Sequence, residues 1–116
     1  MWVSRRTSID EDWGPPENPG PTVNSEKDDS MASISADGLT LYFSSDRPWG
    51  YGNFDIYKAT RATPQDPWDE PANLGPVVNS PYLEACPSLS PDGLVLFFTD
   101  GFYLRPGDTV LLICVL

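Results

Sequence analysis

The run Ile34-Ser35-Ala36-Asp37-Gly38-Leu39-Thr40-Leu41-Tyr42-Phe43-Ser44 decides the fold of this chain. Its centre is a turn: Ala36-Asp37-Gly38 reverses the chain, and Gly38 can take the positive φ that a tight hairpin requires. After the turn, Leu39, Leu41 and Phe43 fall on one face of a strand and Thr40 and Tyr42 on the other. Before it, Met31 to Ser35 supplies the returning strand. Large side chains on both faces of residues 39–44 imply that both faces are covered.

Outward from this hairpin the punctuation continues. Asp46 to Asn53 is a loop by its Pro and Gly content, Phe54 to Thr60 reads as a third strand, and a weaker fourth lies near Trp68 to Leu74, before the Gly75-Pro76 break. Asp55, at the edge of the third strand, is expected to accept backbone N–H bonds from the neighbouring turn, and Arg47 to be structural as well. With thirteen Pro, nine Gly and apolar runs that are short, β-branched and aromatic, the composition is all-β.

The unit repeats. Shifted by 55 positions, residues 1–43 align without a gap on residues 56–98, and sixteen of these forty-three pairs are identical. They include Arg6/Arg61, Trp13/Trp68, Asn18/Asn73, Gly20/Gly75, Asn24/Asn79, Ser25/Ser80, Ser35/Ser90, Asp37/Asp92, Gly38/Gly93, Leu41/Leu96 and Phe43/Phe98. Turn residues and alternate apolar positions are what a repeated supersecondary unit retains. Trp13 and Trp68 are expected to pack against a loop. Four short antiparallel strands per unit, covered on both faces by neighbouring units, describe the blade of a propeller.

Ser35-Ala36-Asp37-Gly38, the strand ending in Ser45-Asp46-Arg47, and Asp55-Ile56-Tyr57 together resemble the signature of the WD40-like (PD40, TolB-type) β-propeller repeat; Ser90-Pro91-Asp92-Gly93 fits its first half still better. The resemblance implies four-stranded blades divided as 1–25 (third and fourth strands of one blade), 26–80 (one full blade) and 81–101 (first half of the next), with 102–116 a divergent apolar tail. On that division both ends cut a blade, as expected of a fragment or a frame-shifted terminus. The resemblance also implies a periplasmic or extracellular location; Met1 to Arg6 shows no signal-peptide pattern.

Charge and composition exclude several functions. Seventeen acidic against seven basic side chains give a net charge of −10, which repels nucleic acid and anionic lipid. The apolar run Thr109 to Leu116 is far short of the roughly twenty residues that cross a bilayer. Histidine is absent, which removes the usual general base and the Ser-His-Asp arrangement. Two cysteines, Cys86 and Cys114, lack metal-ligand spacing and read as small apolar side chains.

With propeller winding, the loop entering the first strand and the loop leaving the second share one rim. That rim would gather Asp28, Asp29, Asp46, Arg47, Trp49, Tyr51 and, from the next copy, Glu84. Carboxylates, a guanidinium and aromatic faces suit a protein, peptide or glycan ligand. Asp29 and Glu84 are equivalent positions, but two carboxylates fall short of the six or more oxygens of a hard-cation site, and no calcium-loop motif is present. No metal, cofactor or catalytic residue is expected. The expected function is a binding scaffold; the alternative is part of a propeller hydrolase acting on glycans or peptides. Open blade faces also predict a homo-oligomer or aggregation.

Overall fold

The computed structural model describes residues 1–100, and none of these residues is helical. The chain is all-β, with strands β1 (Asp29–Ile34), β2 (Thr40–Ser45), β3 (Asp55–Thr60), β4 (Ala72–Asn73), β5 (Glu84–Leu89) and β6 (Leu96–Asp100). β1 to β4 form one antiparallel sheet in sequence order, and β5 and β6 pair as a second. The expected fourth strand shrinks to two residues, held to β3 through Tyr57–Asn73 and Lys58–Ala72. The apolar tail at 102–116 lies outside the described residues.

Both hairpins turn as the sequence predicts. Gly38 and Gly93 take φ of 74° and 76°. In each turn the aspartate accepts a serine hydroxyl and a backbone N–H: Ser35 and Leu39 donate to Asp37, Ser90 and Leu94 to Asp92. These bonds hold both carboxyls below the usual range, the serine hydroxyl contributing most.

β1 and β5 share an irregularity. Asp29 and Ser30 pair with Ser45 and Ser44, whereas Ser33 and Ile34 pair with Tyr42 and Leu41, so Met31 and Ala32 together oppose Phe43. The same slip lies between Ala85 and Ser88 in β5. Such a two-against-one bulge bends the strand, and its first residue adopts positive φ in both copies: 54° at Met31, 53° at Cys86. Cys86 is disulfide-bonded rather than a simple apolar thiol, and Cys114 lies outside the described residues.

The core sits on one face of the large sheet. Val23, Leu41, Phe43, Tyr57, Ala59 and Trp68 are buried together, with Met1 packed against them. Phe43 and Tyr57 are cross-strand partners whose rings stack at 6.2 Å between centroids. On the other face, β5 packs against the sheet: Glu84 N–H donates to Phe54 O at 2.8 Å, Ser44 Oγ to Glu84 O at 3.1 Å, and Leu89 N–H to Ser33 Oγ at 3.0 Å.

Residues 1–25 repeat the geometry of residues 56–80. Asn79 brackets Ile56, accepting its N–H at 2.7 Å and donating to its carbonyl at 3.0 Å. Asn24 does the same to Met1, at 2.6 and 2.8 Å. Asn18 and Asn73 each cap a glycine, Gly20 and Gly75, and each accepts from the bracketing asparagine. Val3 bridges Glu17 where Lys58 pairs with Ala72. Arg6 lies 4.4 Å over Trp13, and Arg61 lies 4.1 Å over Trp68. Trp68 packs as expected; Trp13 does not, remaining 63% exposed beneath its arginine.

Candidate functional site

One end of the large sheet, where β1 begins and β2 finishes, gathers four of the seven expected rim residues. Asp28 N–H donates to Asp46 Oδ1 at 2.8 Å, and Asp46 N–H returns a bond to Asp28 O at 3.3 Å. Beside them Arg47 Nη2 meets Asp29 Oδ1 at 2.7 Å, in an ion pair whose side chains are only 12% and 2% exposed.

Arg47 is committed to structure. Its Nη2 also donates to Val23 O at 3.0 Å, its Nη1 to Thr22 O at 3.4 Å and its Nε to Ser45 Oγ at 3.0 Å. The guanidinium lies 5.0 Å from the Phe43 ring centre and 5.3 Å from that of Tyr57, within cation–π range. It therefore joins the loop at 22–23 to β1 and β2. Asp29 Oδ2 accepts Ser25 N–H and Ser25 Oγ, both at 2.7 Å. Burial pushes the Asp29 carboxyl up, but hydrogen bonds from Ser45, Arg47 and Ser25 outweigh it, and the group ionises below the usual range.

Glu84 occupies the equivalent place in the second copy and is fully buried. It accepts Ser80 N–H at 3.0 Å and Ser80 Oγ at 2.5 Å, as Asp29 does from Ser25. Here burial dominates. It raises the Glu84 carboxyl above the usual range despite the Ser80 bonds, and Asp100 pushes the same way. Asp29 and Glu84 are thus each turned inward onto their own serine. Among the described residues no three His, Cys, Asp or Glu side chains gather where they could hold a metal ion.

The two aromatic residues stand apart from this buried layer. Trp49 is 97% exposed at φ 71°, and Tyr51 is half exposed. Their loop is fixed at its base by Asp55, which accepts Tyr51 N–H at 2.6 Å, Gly52 N–H at 3.1 Å and Asn73 Nδ2 at 2.8 Å, the turn-holding role its position predicts. A Cβ at Gly50 would strike the Asp55 carboxylate, and one at Gly52 would strike the carbonyl oxygens of Tyr82 and Ser80. Asn53 N–H donates to Tyr82 O at 2.7 Å, tying the loop to the second copy. The result is an aromatic tip on a rigid acidic base.

A second feature has no signature in the sequence. A groove of about 840 Å³ runs between residues 1–19 and the large sheet, lined by Met1, Val3, Ala32, Ile34, Leu41 and Trp68 among others. Its walls come from segments far apart in the chain. The serines and asparagines that hold the site together, Ser25/Ser80 and Asn24/Asn79, could have been found from their identity across the repeat.

No family model, curated protein or solved structure matches the chain.

Proposed function

We propose that the chain is a stretch of a WD40-like (PD40, TolB-type) β-propeller that acts as a rigid scaffold, binding a protein, peptide or glycan through the rim loop at Asp46–Asn53. The observation that carries this reading is the division of labour at the rim. Arg47, Asp29 and Asp55 are consumed by internal bonds, while Trp49 and Tyr51 present exposed aromatic faces on the base they stiffen. Aromatic side chains on a pre-ordered loop bind with little loss of conformational freedom. The recurrence of the same turn, bulge and asparagine bonds at a 55-residue spacing supports the propeller reading, and the resemblance supports an envelope or extracellular location. Asp29 and Glu84, each sealed onto a serine, lend no support to the hydrolase alternative. The reading is tested by screening the 116-residue protein against soluble glycan and peptide panels beside the double variant Trp49→Ala, Tyr51→Ala. The expected result is a ligand whose affinity falls at least about tenfold in the variant with an unchanged melting temperature. A ligand indifferent to both substitutions, or panels without a ligand, would overturn it.

A further inference from the structure

Aromatic rings in this chain are repeatedly covered by its own cations. Of the four arginines among the described residues, three lie over rings: Arg6 over Trp13 at 4.4 Å, Arg61 over Trp68 at 4.1 Å, and Arg47 over Phe43 and Tyr57 at 5.0 and 5.3 Å. An indole attracts a cation to the negative face of its ring system. Trp13 and Trp68 satisfy that attraction internally; Trp49, in the loop between β2 and β3, does not. It is 97% exposed, and no cation of the described residues lies over it. Its backbone holds φ of 71°, a left-handed conformation that disfavours side chains and suits glycine. The indole fills no core and strains the backbone that carries it, so whatever the ring binds lies outside the chain.

The charges at the base of this loop favour a cation. Asp28 N–H on Asp46 Oδ1 and Asp46 N–H on Asp28 O join the turn at 26–28 to the start of the loop. Glu26 and Asp28 are exposed and Asp46 is half-buried. Against these three carboxylates the same turn sets one basic side chain, Lys27, because the charge of Arg47 is already paired with buried Asp29. The whole chain carries −10, and such a field draws cations in and repels anions.

On the reading of the rim loop as a binding site, on which this depends, we infer that its ligand is a Lys- or Arg-bearing peptide segment of another protein. The cationic side chain stacks on the free Trp49 indole, as Arg6 and Arg61 stack on Trp13 and Trp68 within the chain. Tyr51 supplies a second exposed aromatic surface, and Glu26, Asp28 and Asp46 steer the positive charge to the rim. A neutral glycan stacks on an indole as well, but gains nothing from the carboxylates.

The test uses the 116-residue protein and a panel of soluble peptides in which every Lys- or Arg-bearing member has a counterpart carrying norleucine or citrulline instead, beside neutral oligosaccharides. Binding is expected to concentrate in the basic peptides, to weaken about threefold or more in the uncharged counterparts, and to weaken as salt is raised. Trp49→Gly should cut affinity about fivefold or more with no loss of melting temperature, since glycine is at ease at that φ. Trp49→Phe, which keeps a ring, should retain part of the affinity. Glu26→Gln combined with Asp28→Asn, both at exposed side chains, should slow association about twofold or more at low salt. The comparison with uncharged counterparts uses wild-type protein and remains decisive if a variant does not fold. A ligand that needs Trp49 and Tyr51 but is a glycan, or a peptide that binds equally well without its charge, overturns the basic-peptide inference and leaves rim binding standing. An association rate indifferent to the Glu26 and Asp28 substitutions does the same. Basic peptides that bind Trp49→Gly as tightly as wild type, or panels without any ligand, overturn both.

Discussion

Asp29 and Glu84 stand 55 positions apart at the start of the same strand in two copies of one unit, and each accepts both the N–H and the hydroxyl of a serine four residues earlier. Their acidities nevertheless move in opposite directions. The difference lies in the remaining partners. Asp29 also accepts from Ser45 and Arg47, whereas 55 positions after Ser45 the sequence reads Asp100, which pushes the Glu84 carboxyl further up. A repeated backbone can thus preserve its hydrogen bonds while the charge balance at one position reverses.

The largest expected effect comes from breaking the compensated copy. Arg47→Ala leaves the Asp29 carboxylate buried without its partner and frees the carbonyls of Thr22 and Val23. Losing one member of a buried pair typically costs about 3–5 kcal/mol, so the urea midpoint should fall steeply. A change below about 1 kcal/mol would show that the serine bonds alone sustain Asp29. Apolar packing offers a parallel contrast. Phe43→Ala removes a fully buried ring and should cost about 3–5 kcal/mol. Phe98→Ala, at the half-buried equivalent, should cost clearly less under conditions where the chain is monomeric. Equal losses would mean that the two copies are packed alike.

The turns sharpen the comparison from the other side, since here the copies match. Gly38→Val and Gly93→Val each place a β-branched residue at φ near 75° and should each destabilise by about 1 kcal/mol or more. In the four-stranded sheet the loss should appear in the global unfolding transition. In the β5–β6 hairpin it should appear as faster amide exchange confined to residues 84–100, because a two-stranded sheet opens more readily on its own. A single shared transition for both variants would refute that local independence.

The sequence made legible what depends on local chemistry. Asp37-Gly38 and Asp92-Gly93 announced their turns, alternation placed Leu41 and Phe43 on the buried face, and Asp55 at a strand edge behaved as such residues do. The bulge was hidden because its positive-φ residues are Met31 and Cys86, which carry none of the glycine or asparagine signal for that conformation. Propeller winding puts Glu84 on the rim with the loop entering its strand; its burial follows from packing across β2 and Phe54, which no local pattern records. The groove emerges only when segments far apart in the chain are set in space.

The smallest effect separates the two carboxylates by pH. The Asp29 carboxyl is lowered on folding, so its contribution is present above the ordinary carboxylate range and is lost as pH falls through the depressed value. The Glu84 carboxyl is raised, so its contribution is full below the ordinary range and is lost as pH rises through the elevated value. Asp29→Asn should therefore lower the urea midpoint at pH 7, with the deficit shrinking as the medium is made more acidic. Glu84→Gln should do the reverse: little change in acid, and a midpoint that rises above wild type towards pH 7, because the amide does not share the carboxyl's cost of ionising in a buried site. The amide can keep both contacts, because its oxygen still accepts Ser80 N–H and the Ser80 hydroxyl can rotate to accept from the new NH2 group. Urea titrations at several pH values between 3 and 7 measure both variants against wild type. Parallel curves for the two would show that Arg47 and Asp100 do not distinguish the sites, and the electrostatic contrast between the copies would fall.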